Sequence, residues 1–437
     1  MMVPTPRCAI LVAASVPLGF ILVSAIPDAA LACLYLPFFA LALCIYDFLA
    51  SPGAKSMTLS FDCPQILYVG TSAPISLELM TLEPKKGALK VRALLSLSGK
   101  ISLCEPITIT LDPAKGKGEF SLTPTLRGKV FLNGVFLAWR GPAGFLELRK
   151  KIDINKTIDV LQNINGIHEE ALKYFSKDAQ LGVKILRYKG MGSEFENLTE
   201  YALGMDNRFI DWKRSARFRK LLAKEFRLER NNQIILGFDT GRLMLEPIGS
   251  APRLDHFIRA ALMLGWISLR SGDLVGSCGF DLTFRHYLAP GRTPSFFLKL
   301  QRFTASLDYS AAETNFTLCL SELSAKLHQR ALVVLFTEFG DSVAASLLIE
   351  CLEQISRKHL VVFVSTPDPL TLNLTEEKPS SFQSMAESVI ADGFKKERAI
   401  VLERMSRLGV FCIDLPPQAL GGSLINRYLT IKERGLL

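Results

Sequence analysis

Gly190-Met191-Gly192-Ser193-Glu194-Phe195 opens a stretch that runs through Tyr201, Asp206, Arg208, Asp211-Trp212-Lys213, Ser215-Ala216-Arg217 and Glu229. It closes on Gln233-Ile234-Ile235-Leu236-Gly237-Phe238-Asp239. That closing run is apolar up to an acid, the pattern of a buried strand. After Asn231 the chain alternates. Helices are expected at Leu254 to Arg270, Phe296 to Leu307, Phe316 to His328, Ser342 to Arg357, Ser384 to Arg407 and Leu424 to Lys432. Strands are expected at Leu274 to Phe280, Ala331 to Phe336, Leu360 to Ser365 and Val410 to Ile413. Apolar strands separated by amphipathic helices predict an α/β domain over 233–437, with a mostly parallel, Rossmann-like sheet covered on both faces. In such sheets the functional rim is the carboxyl end of the strands, where Asp239 stands.

Upstream of that strand the charge is concentrated. Arg208, Lys213, Arg214, Arg217, Arg219, Lys220, Lys224, Arg227 and Arg230 share a window with Asp206, Asp211, Glu225 and Glu229. Trp212, Ala216, Leu222, Ala223 and Phe226 recur at near-helical spacing, which predicts one basic helix from Trp212 to Leu228 with its apolar face packed. Its charged face fits a solvated surface laced with ion pairs, a dock for an acidic protein surface, or an internal Asp211/Arg217/Glu229 network. With the aromatics assigned to the core, the exposed stacking groups of a nucleic-acid site are missing, so nucleic acid is not the expected partner.

Together these charged, aromatic and glycine positions resemble the bacterial domain-of-unknown-function family 58. Its members look like membrane-anchored proteins ending in a von Willebrand factor A-like domain. The resemblance implies that fold for 233–437 and a non-catalytic interaction role, with a MoxR-type AAA+ ATPase as partner in assembly or maturation of another complex. It marks Gly190, Gly192, Glu194, Phe195, Tyr201, Asp206, Arg208, Asp211, Trp212, Lys213, Arg217 and Glu229 as signature and interaction residues. Pro367-Asp368-Pro369 and the closing Ile425 to Leu437 are also similar to the family. So is the stretch from Trp139 to Phe145, except that Gly141 stands where a usual member has an acid before the proline.

In A-type domains a D-x-S-x-S loop, a threonine and an aspartate hold magnesium or manganese, hard cations that want several oxygens. This chain reads Asp239-Thr240-Gly241-Arg242-Leu243, so both serine hydroxyls are gone and a cation stands between. Thr314 matches the family threonine, and Glu338 falls at the aspartate. Asp239, Thr314 and Glu338 therefore form a degenerate metal site, and Asp239 is expected in an internal pair with Arg242. No cofactor is expected. A Mg- or Mn-dependent binder is the alternative, and anionic lipid or nucleic acid stands behind it.

Cys8 to Ile26 and Ala29 to Tyr46 carry no charge, and each run of roughly nineteen residues gives about 28 Å of helix. They predict a transmembrane hairpin over 1–55. Arg7 and Lys55 flank it, placing both ends in the cytoplasm and the protein in the inner membrane as a multi-pass chain. Short alternating runs such as Ile75 to Leu79 and Ile107 to Leu111 predict a β-sandwich over 56–152. Residues 153–232 then form a linker that holds the signature segment and a helix near His168 to Phe175.

The net charge of +9 decides nothing at this length, and nine cysteines lie singly with no C-x-x-C pair. That scatter fits buried thiols in a reducing compartment. The five histidines make no H-E-x-x-H or H-x-x-x-H pair, and no G-x-S-x-G elbow or Walker loop is present. Cys278 with nearby His286 is the one thiol pair that can be drawn, and a core cysteine is the plainer reading. No enzyme is expected.

Overall fold

The computed structural model describes all residues except 1, 11–12, 15–16, 18–38, 40–41, 54–55, 83–88, 99–105, 113, 164–188, 203–206, 228–231, 294 and 377–380. The chain divides into two compact units, Met1–Asn163 and Ile164–Leu437.

The first unit is built of strands β1 (Met2–Pro4), β2 (Met57–Asp62), β3 (Ile66–Tyr68), β4 (Ala73–Thr81), β5 (Leu89–Ser98), β6 (Ile107–Leu111), β7 (Lys115–Leu122), β8 (Gly128–Arg140) and β9 (Leu146–Leu161). One sheet runs β1-β9-β8-β5-β6 with β3 beside β9, and a second runs β2-β4-β7. Period-two alternation turns Ile75, Leu77 and Leu79 of β4 inward. They meet Val91, Ala93, Leu137 and Trp139 of the larger sheet in one shared core.

Residues 6–10 and 42–50 are helical and close onto the turn between β8 and β9. Thr5 donates its hydroxyl to the carbonyls of Gly144 and Phe145 at 2.8 and 3.0 Å. Asp47, fully buried, accepts the backbone N–H groups of Ala143, Phe145 and Leu146 at 2.7–2.9 Å. A Cβ at Gly141 would run into the Asp47 carboxylate. Glycine at 141 makes room for the Asp47 carboxylate.

The second unit opens with β10 (Lys189–Glu200), helix α1 (Trp212–Phe218) and β11 (Leu222–Arg227), the two strands pairing antiparallel. This corrects the single helix expected from Trp212 to Leu228. Arg219 takes a left-handed conformation at φ 54, which ends α1. The Leu222 N–H then binds the Ser215 hydroxyl, and the chain reverses to satisfy its backbone against β10. The helix expected near His168 to Phe175 lies outside the described residues.

Next come β12 (Gln233–Asp239), β13 (Pro247–Ile248), β14 (Ala251–Pro252), α2 (Arg253–Arg270), β15 (Leu274–Phe280), β16 (Phe284–Gly291), α3 (Phe296–Ala305), α4 (Phe316–Lys326) and β17 (Ala331–Phe336). They are followed by α5 (Ser342–Ser356), β18 (Leu360–Ser365), α6 (Pro369–Glu376), α7 (Phe382–Arg407), β19 (Phe411–Asp414) and α8 (Pro417–Glu433). The sheet runs β16-β15-β12-β17-β18-β19 and is mixed: β15 and β16 are antiparallel, the other neighbours parallel. One face packs on α2, α3 and α8, the other on α4, α5 and α7. The closing helix is tied down where Tyr428 and Lys432 both bind Asp273, the lysine at 2.8 Å.

Two expectations are corrected by this architecture. The chain as a whole is not a mostly parallel, von Willebrand factor A-like or Rossmann-like fold behind a transmembrane hairpin, but is rich in antiparallel sheets, with a sandwich in the first unit. Parallel pairing needs a long crossover between neighbours, whereas residues 141–145 join β8 to β9 and residues 281–283 join β15 to β16. The transmembrane hairpin, with the inner-membrane localisation drawn from it, is the other. Its apolar runs fall mostly outside the described residues, and among the described residues no helix is long and apolar enough to cross a membrane. The second run had been measured by absence of charge alone, yet its helix continues through Asp47, which is seated on the protein.

Candidate functional site

Four loops meet at the carboxyl ends of β12, β15 and β17. Asp239, the last residue of β12, is held by parallel pairing on both sides of that strand and is buried. Its Oδ1 accepts the Gly241 N–H at 2.8 Å and the Thr314 hydroxyl at 2.6 Å, and its Oδ2 accepts the Thr337 hydroxyl at 2.6 Å. The Thr240 N–H and hydroxyl both donate to the Phe280 carbonyl, at 2.8 and 3.0 Å. Arg242 N–H reaches Ala312 O at 2.9 Å and Asn315 N–H reaches Asp281 O at 2.9 Å, so backbone bonds stitch the loops together.

Burial pushes the Asp239 carboxyl up to about 6. The two threonine hydroxyls and the Gly241 N–H pull against that rise, while nearby Asp281 adds to it. Asp281 has its own cation, Arg285 at 2.9 Å.

Of the three expected metal-site residues, the structure brings two together. Thr314 lies on Asp239, but Glu338 is turned to other partners. Arg398, from α7, grips Glu338 with two bonds of 2.7 and 3.1 Å and Asp414 with two more of 2.9 and 2.8 Å. Arg253 stands 3.7 Å from the Glu338 carboxylate, and Ser365 donates to Asp414 at 3.0 Å. Burial alone would lower the Arg398 pKa, but the hydrogen bonds and charges of Asp414 and Glu338 outweigh it and raise it further. The guanidinium also lies over the Phe339 ring, 5.1 Å from its centre.

These oxygens do not suit a divalent cation. The Thr314 and Thr337 hydroxyls and the Gly241 N–H already occupy three lone pairs of Asp239, and Glu338 is neutralised by guanidinium groups. Among the described residues no three His, Cys, Asp or Glu side chains gather as ligands. The expected Asp239–Arg242 pair is also corrected, since Arg242 faces exposed Glu313 at 3.7 Å. Short hydroxyls reach a buried carboxylate where an arginine at the loop surface does not.

The glycine at 241 explains the closure. A Cβ there would collide with the Thr314 hydroxyl oxygen, so only glycine lets Thr314 sit directly on Asp239. Thr337 and Arg398 were missed in the sequence. A threonine before Glu338 and one arginine among several in α7 carry no mark of their own until the strands bring them together.

The signature residues lie in the segment before β12. Gly190, Gly192, Glu194 and Phe195 lie in β10, while Asp206 and Glu229 fall outside the described residues. Tyr201 donates to Asn207 at 2.5 Å, and Arg208 lies in a 3-10 turn. Asp211 caps α1 through the Arg214 N–H at 3.1 Å and stands 3.6 Å from Lys224. That capping bond, with help from Lys224, lowers its carboxyl pKa. Lys213 and Arg217 are exposed. The assignment of the aromatics to the core is corrected: Trp212 is 68% and Phe218 62% exposed. A helix of two turns cannot bury both of its ends.

Cys278 lies in β15, wholly buried, and burial pushes its thiol far up. His286 sits across on β16 with its ring against Phe303.

Residues 197–386 match the family model described as "Protein of unknown function DUF58". No curated protein matches. Similar solved structures include the conserved hypothetical protein BatB of Bacteroides thetaiotaomicron, at 11% identity and TM-score 0.31 over 46% of this chain and 99% of that one. The CARDB domain of a Pyrococcus furiosus protein gives 17% identity and TM-score 0.17 over 24% and 94%. A cohesin module of a Clostridium perfringens family 33 glycoside hydrolase gives 7% and 0.17 over 25% and 98%. Scores this low carry no argument about function. The match begins in the β10–β11 signature hairpin and runs through the Asp239 loops into α7, so the likeness to DUF58, described as of unknown function, lies in residues 197–386 of this chain.

Proposed function

We propose that this chain is a non-catalytic protein-interaction module, and that its binding face is the exposed surface around α1. The observation that carries this reading is Trp212 and Phe218 standing free of the core beside Leu221, at 48% exposure, with Lys213, Arg217 and Lys220 around them. Exposed aromatics anchor interfaces, and a cationic rim steers and orients an acidic partner. Asp239 and Glu338 are satisfied internally, which leaves recognition to surface groups. The family resemblance implies a MoxR-type AAA+ ATPase as partner, in assembly or maturation of another complex.

The test is binding of the full chain to a purified ATPase of that class, read by titration calorimetry. Trp212→Ala with Phe218→Ala is expected to weaken binding about 30-fold or more. Unchanged affinity in that double variant removes this face from the reading, and no binding by the intact chain removes the partner.

The same exposed aromatics favour one second reading, single-stranded nucleic acid, because bases stack on such rings between cations. An oligothymidine should then bind with an affinity that falls steeply with salt. Absence of binding at low salt ends it.

A further inference from the structure

Helix α7 is built inside out. Its inward residues in the first four turns are small or polar, Ser384, Ser388 and Ala391, while Phe382, Met385, Val389, Ile390 and Phe394 face outward. Phe382 is 90%, Val389 67% and Phe394 62% exposed. A surface helix ordinarily shows the reverse distribution.

The position of this face follows from Arg398. That residue meets Glu338 and Asp414, which mark the carboxyl rim of the sheet. The roughly sixteen residues before it therefore extend about 24 Å past the rim at 1.5 Å per residue. Along that length α7 packs mainly on α6. Together they form an arm.

The exposed apolar side chains of the arm, with Ile400 and with Leu370 of α6, amount to on the order of 700 Å², more than the largest patch of about 300–600 Å² on an ordinary monomer. Doubled by a second copy, the area reaches about 1,400 Å², within the range of a specific interface.

We infer that the occupant is the same arm of a second copy of this chain, with the two α7 helices antiparallel about a two-fold axis at residue 391. The stripe is self-complementary about that point. Phe382 lies opposite Ile400 of the other copy, Met385 opposite Glu397, and Val389 opposite Gly393, where a Cβ would meet nothing within 4 Å. Val389 thus faces open space across the axis, and each end closes with two apolar side chains. The stripe carries two charges, Lys396, matched by Asp392 at 2.7 Å, and exposed Glu397. An isologous pairing of this kind closes at two copies.

Sedimentation of the full chain at about 100 µM is the test, with a sedimenting mass of twice 48.4 kDa expected. Val389→Glu weakens the dimer about 30-fold or more and leaves the melting of the dilute monomer unchanged, because the side chain is exposed there. Ile400→Glu, at the far end of the stripe, does the same. An equimolar mixture of Val389→Glu and Val389→Lys regains the dimer that each lacks alone. A chain that stays monomeric, an oligomer that both glutamate variants leave intact, or an open-ended series of larger species overturns the assignment.

Discussion

Thr314 donates its hydroxyl proton to Asp239 at 2.6 Å, and it does so across a position, Gly241, that has no side chain to hold the two apart. The loop that looked like a metal site stripped of its ligands is a closed hydrogen-bonded unit. A hydroxyl at residue 241 would not rebuild a cation site; it would first have to push Thr314 away.

Gly241→Ser should therefore destabilise the second unit by about 1–3 kcal/mol through overpacking. Urea denaturation reads this. A variant as stable as the parent, or one whose melting temperature rises with millimolar magnesium, would show that the loop opens more easily than its packing indicates.

The buried Asp239 carboxyl gives stability a defined pH dependence. Its folded pKa, raised from 3.8 to about 6, means that its contribution is fully present below 3.8 and is lost as pH rises through about 6. The rise of about two units corresponds to about 3 kcal/mol. Asp239→Asn does not titrate, so its stability relative to the parent should improve by up to that amount between pH 3.5 and 7. A difference that stays flat across this window would mean Asp239 ionises as freely as in an unfolded chain.

Arg398 joins two carboxylates that nothing else neutralises as fully. Arg398→Met should cost about 3 kcal/mol, since it leaves buried Glu338 with only Arg253 at 3.7 Å and half-buried Asp414 with only the Ser365 hydroxyl. Arg398→Lys should recover little, because a single ammonium cannot repeat two bidentate grips. Adding Glu338→Gln and Asp414→Asn to the methionine variant should restore part of the loss. Strict additivity of the three changes would rule out the coupling.

In the first unit, Asp47→Ala removes the acceptor for three backbone N–H groups at once. Hydrogen exchange at Ala143, Phe145 and Leu146 should quicken, with a loss of about 2–3 kcal/mol. Gly141→Ala should act similarly, because its methyl group displaces the same carboxylate.

Cys278 and Cys319 are raised by burial, Cys319 to about 12. Thiol reagents should modify them only at the rate of unfolding. Rapid labelling of Cys278 in the folded chain would reopen the enzymatic reading.

The residues by themselves determined where the C-terminal strands and helices lie, because Gln233–Asp239, Ala331–Phe336 and Leu360–Ser365 are unbroken apolar runs between amphipathic helices. They also placed Asp239 at a strand end, while Thr314 was tied to it only through the family resemblance. Only the tertiary structure decided the rest. Period and composition are properties of neighbours in sequence. The reversal at Arg219, the β15–β16 hairpin, the turn of Glu338 toward Arg398 and the seating of Asp47 under residues 143–146 are set by contacts between residues up to 99 positions apart. A backbone or carboxylate chooses among such partners by burial and hydrogen-bond geometry, which exist once the chain has folded.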